Sequence, residues 1–151
     1  MDIFLDKKRD SEFDYTISPV KKDQLAFISP KAWGHEEWII NEAAYCGKKL
    51  VFKSGYRCSL HYHKIKDETW YILRGKVLVE IIDGDKKIER IMRQGAVQQI
   101  KPGIIHRISA LTNSEVIEFS THHMEEDSYR IELAGKVPAD ELEKWGCGLC
   151  L

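Results

Sequence analysis

Gly55-Tyr56-Arg57-Cys58-Ser59-Leu60-His61-Tyr62-His63-Lys64-Ile65-Lys66-Asp67-Glu68-Thr69-Trp70-Tyr71-Ile72-Leu73-Arg74-Gly75 spaces its histidines, its glutamate and its bounding glycines as G-x5-H-x-H-x4-E-x6-G. Side chains two apart on a strand leave the same face, so His61 and His63 are able to grip one ion together. Glu68 opens the next apolar run after the connection Lys64 to Asp67, which sets its carboxylate opposite the histidine pair. Further along, Gly95 to His106 reads G-x6-P-G-x2-H, and the turn at Pro102-Gly103 delivers His106 at the head of a strand. Three imidazoles and one carboxylate make a three-nitrogen, one-oxygen set. Such a set suits one borderline divalent ion (Zn, Mn, Fe or Ni) and need not fill every coordination position.

Outward from this stretch the chain breaks into short runs rich in Val, Ile, Phe, Tyr and Trp, separated by Gly, Pro, Asp and Asn, a pattern of many short strands. Strands are predicted over residues 24–29, 36–41, 48–53, 58–63, 68–73, 77–82, 87–92, 96–100, 106–110, 116–121 and 129–133. The Asp83-Gly84 pair suits a tight hairpin that needs positive φ. Pro138, the acidic residues after it and Gly146 beyond Trp145 predict a short C-terminal helix over 138–145. Residues 1–23, mostly charged, are expected to form an N-terminal arm, residues 24–135 the β-domain, and residues 136–151 the helix with a cysteine-bearing tail. Only sheet stacking or closure hides so many strand edges, so the expected fold is all-β, a sandwich or a barrel.

The 151 residues are enough for one domain, and 43% apolar with 31% charged residues is ordinary for a globular chain. Lysine plus arginine number 23 against 24 aspartate plus glutamate, so no global field draws nucleic acid. The opening Met1-Asp2-Ile3-Phe4-Leu5-Asp6-Lys7-Lys8-Arg9-Asp10 lacks the apolar core of a signal peptide, and no run approaches the ~20 apolar residues of a membrane span. A cytoplasmic protein with reduced thiols is the expectation. Cys46 and Cys58 read as small apolar strand residues, and Cys147 and Cys150 form a C-x-x-C in a flexible tail.

The two motifs resemble those of the cupin superfamily: the first matches at every fixed position, while the second has one extra residue before Pro102 and lacks the asparagine often found after the histidine. The resemblance implies a jelly-roll β-barrel with His61, His63, Glu68 and His106 as metal ligands. A narrower resemblance flanks them. Lys31-Ala32-Trp33-Gly34-His35-Glu36 is similar to the segment that opens the cupin domain of type II mannose-6-phosphate isomerases, and Glu126-Asp127-Ser128-Tyr129-Arg130-Ile131-Glu132 to the acidic segment that closes it. The chain departs from that family in having Ala32 where proline is usual, and in lacking the Y-G-R after the acidic segment and a nucleotidyltransferase domain. The resemblance implies aldose–ketose isomerisation of a sugar or sugar phosphate, a small-molecule substrate with no nucleic-acid or membrane partner.

Strand parity puts Arg57 and Ser59 on the face of His61 and His63, and the guanidinium fork of Arg57 suits a phosphate or carboxylate. Lys53 is placed to assist it, and Glu118 or Glu80, each in an apolar strand, to act as base. Trp33 and Trp38 are expected at the interface of a homodimer. Two further classes fit the same ligand set: a metal-dependent oxygenase, and a non-catalytic sugar- or metabolite-binding module.

Overall fold

Along Ser114–Ser120 the side chains of Ser114, Val116 and Glu118 are buried, Glu115 and Ile117 between them are only half-buried, and Phe119 after them is 60% exposed. That period-two alternation is the mark of a strand with one face in a core. It recurs in a computed structural model that describes residues 25–146. The strands are β1 (Phe27–Lys31), β2 (Gly34–Asn41), β3 (Cys46–Phe52), β4 (Tyr56–Arg57), β5 (Leu60–Tyr62), β6 (Glu68–Arg74), β7 (Lys76–Asp83), β8 (Lys86–Arg93), β9 (Val97–Ile100), β10 (Ile105–Ala110), β11 (Ser114–Ser120), β12 (Tyr129–Glu132) and β13 (Gly135–Lys136). A 3-10 turn at Glu125–Asp127 precedes β12, and helix α1 (Ala139–Lys144) follows β13. The expected arm at residues 1–23 and the Cys147/Cys150 pair lie outside the described residues.

Two antiparallel sheets result, the jelly-roll arrangement expected from the motifs. One runs β1-β2-β3-β11-β6-β9; in the other β10 is central, with β7 and then β8 on one side, β4 and β5 on the other, and β12 and β13 beyond. Of the predicted strand over 58–63 only Leu60–Tyr62 is strand, as β5; β4 at Tyr56–Arg57 precedes it along the same side of β10, with an irregular stretch between the two. The inner faces meet over Phe52, Ile72, Val77, Val79, Ile108 and Val116, each at most 2% exposed. Trp33 stacks on Phe52 with ring centroids 4.2 Å apart and is itself 5% exposed. The expectation of Trp33 at a dimer interface is therefore corrected: it closes one end of the core. Trp38 also looks inward, donating from Nε1 to Glu36 Oε2 at 2.9 Å beneath the ammonium of Lys48.

Two turns show why the glycines stand where they do. Asp83 pairs with Lys86 across the two-residue loop Gly84-Asp85, with Gly84 at φ +58, as the Asp-Gly pair predicts. Gly75, the closing glycine of the first motif, sits at φ +89, and a Cβ there would meet the Asn113 carbonyl oxygen at 2.5 Å and run into the Ser114 hydroxyl. Both the conformation and the space exclude a side chain. Gly75→Ala should cost about 1–3 kcal/mol, read as a lowered thermal midpoint; an unchanged midpoint would contradict the close approach.

Candidate metal centre

The antiparallel register of β5 on β10 sets His61 directly opposite His106, and His63 follows β5 on the same face. One ligand nitrogen from each of the three rings lies within 4.8 Å of the others. The rings contact edge to face, His61 to His106 at 4.4 Å and His61 to His63 at 4.9 Å between centroids. Each donates from Nδ1 to a backbone carbonyl: His61 to Ser59 at 2.9 Å, His106 to Ile104 at 2.8 Å, and His63 to Asp127 at 2.9 Å. A proton committed to Nδ1 leaves Nε2 as a lone pair aimed into the site, the tautomer a metal ligand requires.

Glu68 begins β6 and is 2% exposed. Its Oε1 stands 2.9 Å from His106 Nε2 and 3.6 Å from His63 Nε2. Those three atoms are buried without a hydrogen-bond partner. With the imidazole protons on Nδ1, nitrogen lone pairs face a carboxylate oxygen, acceptor against acceptor, which is unfavourable until a cation sits among them. The donors therefore fit a divalent ion, with His61, His63, His106 and Oε1 of Glu68 as the residues that would hold it.

Protonation favours the same state. Burial, reinforced by the neighbouring His106, drives the His61 pKa down to about 3, and burial also lowers that of His63. Burial pushes the Glu68 pKa up, but the Lys66 ammonium outweighs it and holds the carboxyl well below its usual range. Lys66 is itself 4% exposed, with Nζ 2.8 Å from Glu68 Oε2 and 2.5 Å from Glu118 Oε1. Its backbone is pinned by Asp127, whose buried carboxylate accepts from the N–H groups of Lys64, Ile65 and Lys66 at 2.9–3.2 Å.

The centre opens into a cavity of about 360 Å³ between the sheets, walled by His61, Glu68, Lys66, Glu118, Lys48 and Trp70 among others. Of the predicted substrate-handling residues, Glu118 lines it. Arg57 does not: β4 turns its guanidinium to Glu141 on α1, at 3.0 and 3.3 Å. Parity counted back from His61 fails because the chain leaves strand geometry between β4 and β5. Lys53 is exposed beyond the end of β3, outside the cavity wall. Glu80 is engaged by Arg107 on the opposite face of its sheet, at 2.6 and 2.9 Å. Cys58 also lines the cavity, its thiol pushed up to about 12 by burial, in keeping with a structural role.

Residue types alone did not single out Lys66, Lys48 or Asp127. Lys48 has a signal: it alternates with Leu50 and Phe52 on the inward face of β3 and is 1% exposed. Asp127 lies in the acidic closing segment, where its carbonyl orients His63 and its carboxylate holds the loop before Glu68.

The family model described as the cupin domain matches residues 49–126, about half of the chain and all four donors; the chain belongs to the cupin family. Among solved structures the fold is similar to oxalate decarboxylase from Bacillus subtilis, with TM-score 0.65 and 18% identity over 70% of this chain and 30% of that one. It is also similar to the capsular polysaccharide assembling protein CapF of Staphylococcus aureus, with TM-score 0.64 and 20% identity over 72% and 34% of the two chains. A Lactobacillus farciminis oxalate decarboxylase in complex with formate gives TM-score 0.63 and 18% identity over 73% and 37%. At such identities the likeness shows the fold, and the chain spans about a third of the length of those proteins. No curated protein sequence matches it. Among the described residues no helix is long and apolar enough to cross a membrane.

His61→Ala or His106→Ala should abolish stoichiometric binding of zinc or manganese while the circular dichroism of the β-domain persists; full metal content in either variant would refute the ligand set. In the metal-free protein, the unfolded chain binds protons at His61 from about pH 6.5 downward while the folded one does so only near pH 3. Stability is therefore lost as pH falls through that window, by about 2 kcal/mol at pH 5 from this residue. Denaturant midpoints in chelator that stay flat from pH 7 to 4.5 would contradict a neutral His61.

Proposed function

We propose that the protein is a metal-dependent aldose–ketose isomerase acting on a small sugar or sugar phosphate, with Glu118 as the proton carrier. The observation that carries this reading is the single cavity wall that brings His61, Glu68, Lys66 and Glu118 together. A divalent ion held by the histidines and Glu68 would supply Lewis-acid polarisation of a carbonyl oxygen. Glu118 is held in place by the Lys66 ammonium and by the Ser120 hydroxyl, which donates to Oε1 at 3.1 Å. From there it takes the proton from the hydroxyl-bearing carbon beside the carbonyl and returns it to the former carbonyl carbon, while the hydroxyl proton passes to the former carbonyl oxygen, so aldehyde becomes ketone with no net change in atoms. Trp70, Leu50 and Phe52 make the cavity floor apolar, which limits water at the reacting carbons.

Charge supports a negatively charged substrate. The cavity wall carries Lys31, Lys48, Lys66 and Arg130 against Glu36, Glu68, Glu118 and Glu125, so its charges balance before any ion is bound. A divalent cation adds an excess that a phosphate or carboxylate offsets. Lys48 takes the place first expected of Arg57: its buried ammonium lines the cavity, 3.6 Å from Glu36. The resemblance of the flanking segments to type II mannose-6-phosphate isomerases agrees with this chemistry. A homodimer is part of the proposal, formed through the outer face of the first sheet, where Val97 and Phe119 are each 60% exposed.

The test is deuterium incorporation at the carbon beside the carbonyl when the metal-loaded protein is incubated with hexose and pentose phosphates in heavy water. Glu118→Gln should lower the exchange rate about 10²–10⁴-fold with metal content unchanged. Oxygen consumption by the iron-loaded protein without exchange would make it an oxygenase, and tight sugar-phosphate binding with neither signal would make it a binding module.

A further inference from the structure

We infer that Lys66 is a positioning residue that keeps Glu68 a one-oxygen ligand, so that coordination positions on the bound ion stay open for the substrate. This inference rests on the metal-centre reading above and adds to it the denticity of the carboxylate. A carboxylate beside a divalent ion is able to bind through one oxygen or both, and a two-oxygen grip would use a position that a substrate oxygen needs. Here the two oxygens of Glu68 have different surroundings. Oε1 faces His106 and His63 Nε2 and has no hydrogen-bond partner, whereas Oε2 accepts from Lys66 Nζ at 2.8 Å.

The ammonium is not free to leave. Lys66 is 4% exposed and is shared with the buried carboxylate of Glu118. Its backbone N–H donates to Asp127 Oδ2 at 2.9 Å, with the N–H groups of Lys64 and Ile65 on the same carboxylate. A buried cation with two anionic partners is costly to move, because separating it from either leaves an unpaired charge in a low-dielectric interior. Swinging Glu68 so that both oxygens face the ion would break the 2.8 Å contact. The same ammonium ties Glu118 to Glu68, which fixes the distance between the proposed proton carrier and the metal ligand.

Cobalt(II) reports denticity directly, since its visible absorption weakens as the number of donors rises. In the cobalt-loaded protein, Lys66→Met, which keeps the volume and removes the cation, should reduce the molar visible absorption by about half. Lys66→Arg, which restores a donor to Oε2, should return the spectrum toward that of the unsubstituted protein. A spectrum unchanged in Lys66→Met would overturn the inference while leaving the metal centre intact; failure of the unsubstituted protein to bind cobalt would overturn both. If Lys66→Met does not fold, the infrared difference spectrum of the unsubstituted protein with and without zinc decides the matter. A wide separation of the asymmetric and symmetric carboxylate stretches shows one-oxygen ligation, and a narrow one contradicts it.

Discussion

The centre depends on one register. His61 on β5 stands opposite His106 on β10, and a slip of one residue in that pairing would turn His61 and His63 to the outer face of the sheet while leaving His106 inside. Both opposed histidines use the same local device, a bond from Nδ1 to the carbonyl two residues earlier, Ser59 for His61 and Ile104 for His106. The backbone that carries each ring therefore also sets its tautomer. His63, beyond the end of β5, lacks that device and takes its acceptor from the Asp127 carbonyl just before β12. The register of β12 on β5, Arg130 opposite His61, is thus part of the same constraint.

Around the imidazoles the interior is charged, and the charges fall into two sets. Lys66 joins Glu68 and Glu118 between the sheets. On the other side of the second sheet, Arg107 grips Glu80 through two nitrogens and reaches Glu132 with a third. Residues 106 and 107 are neighbours, so strand alternation sends one to the metal centre and the next to this outer ion pair. A buried pair of this kind contributes little net stability against apolar residues but penalises arrangements that separate it. The Arg107 set ties β10 to β7 and β12 and so reinforces the pairing of the sheet that carries the histidines, while the Lys66 set ties the start of β6 to β11 in the facing sheet.

Much of this was legible in the residues. The first motif named His61, His63 and Glu68 together, and the Pro102-Gly103 turn named His106; the structure brings these side chains close because strand periodicity and a short connection leave few other arrangements. The Asp83-Gly84 hairpin and the short helix were legible for the same reason, since their chemistry is local. Arg57 was misplaced because parity was carried across the irregular stretch between β4 and β5, where two-residue periodicity stops. Trp33 was placed outside by a composition argument about interfaces, and tertiary stacking on Phe52 prevails. Lys66 and Lys48 escaped because lysine is rarely buried unless paired, and residue types alone do not show that Lys66 meets Glu118 across the sheet or that Lys48 faces Glu36 on the neighbouring strand. Whether a charge faces water or a carboxylate is a property of the sheet stack.

The central claim is that three unprotonated Nε2 atoms and one oxygen of Glu68 converge on a single ion. X-ray absorption at the zinc edge of the zinc-loaded protein tests it most directly. The account predicts a first shell of light donors at about 2.0–2.2 Å with the outer-shell scattering of three imidazole rings and no sulfur. A shell containing sulfur, or one with fewer than three imidazoles, would contradict it.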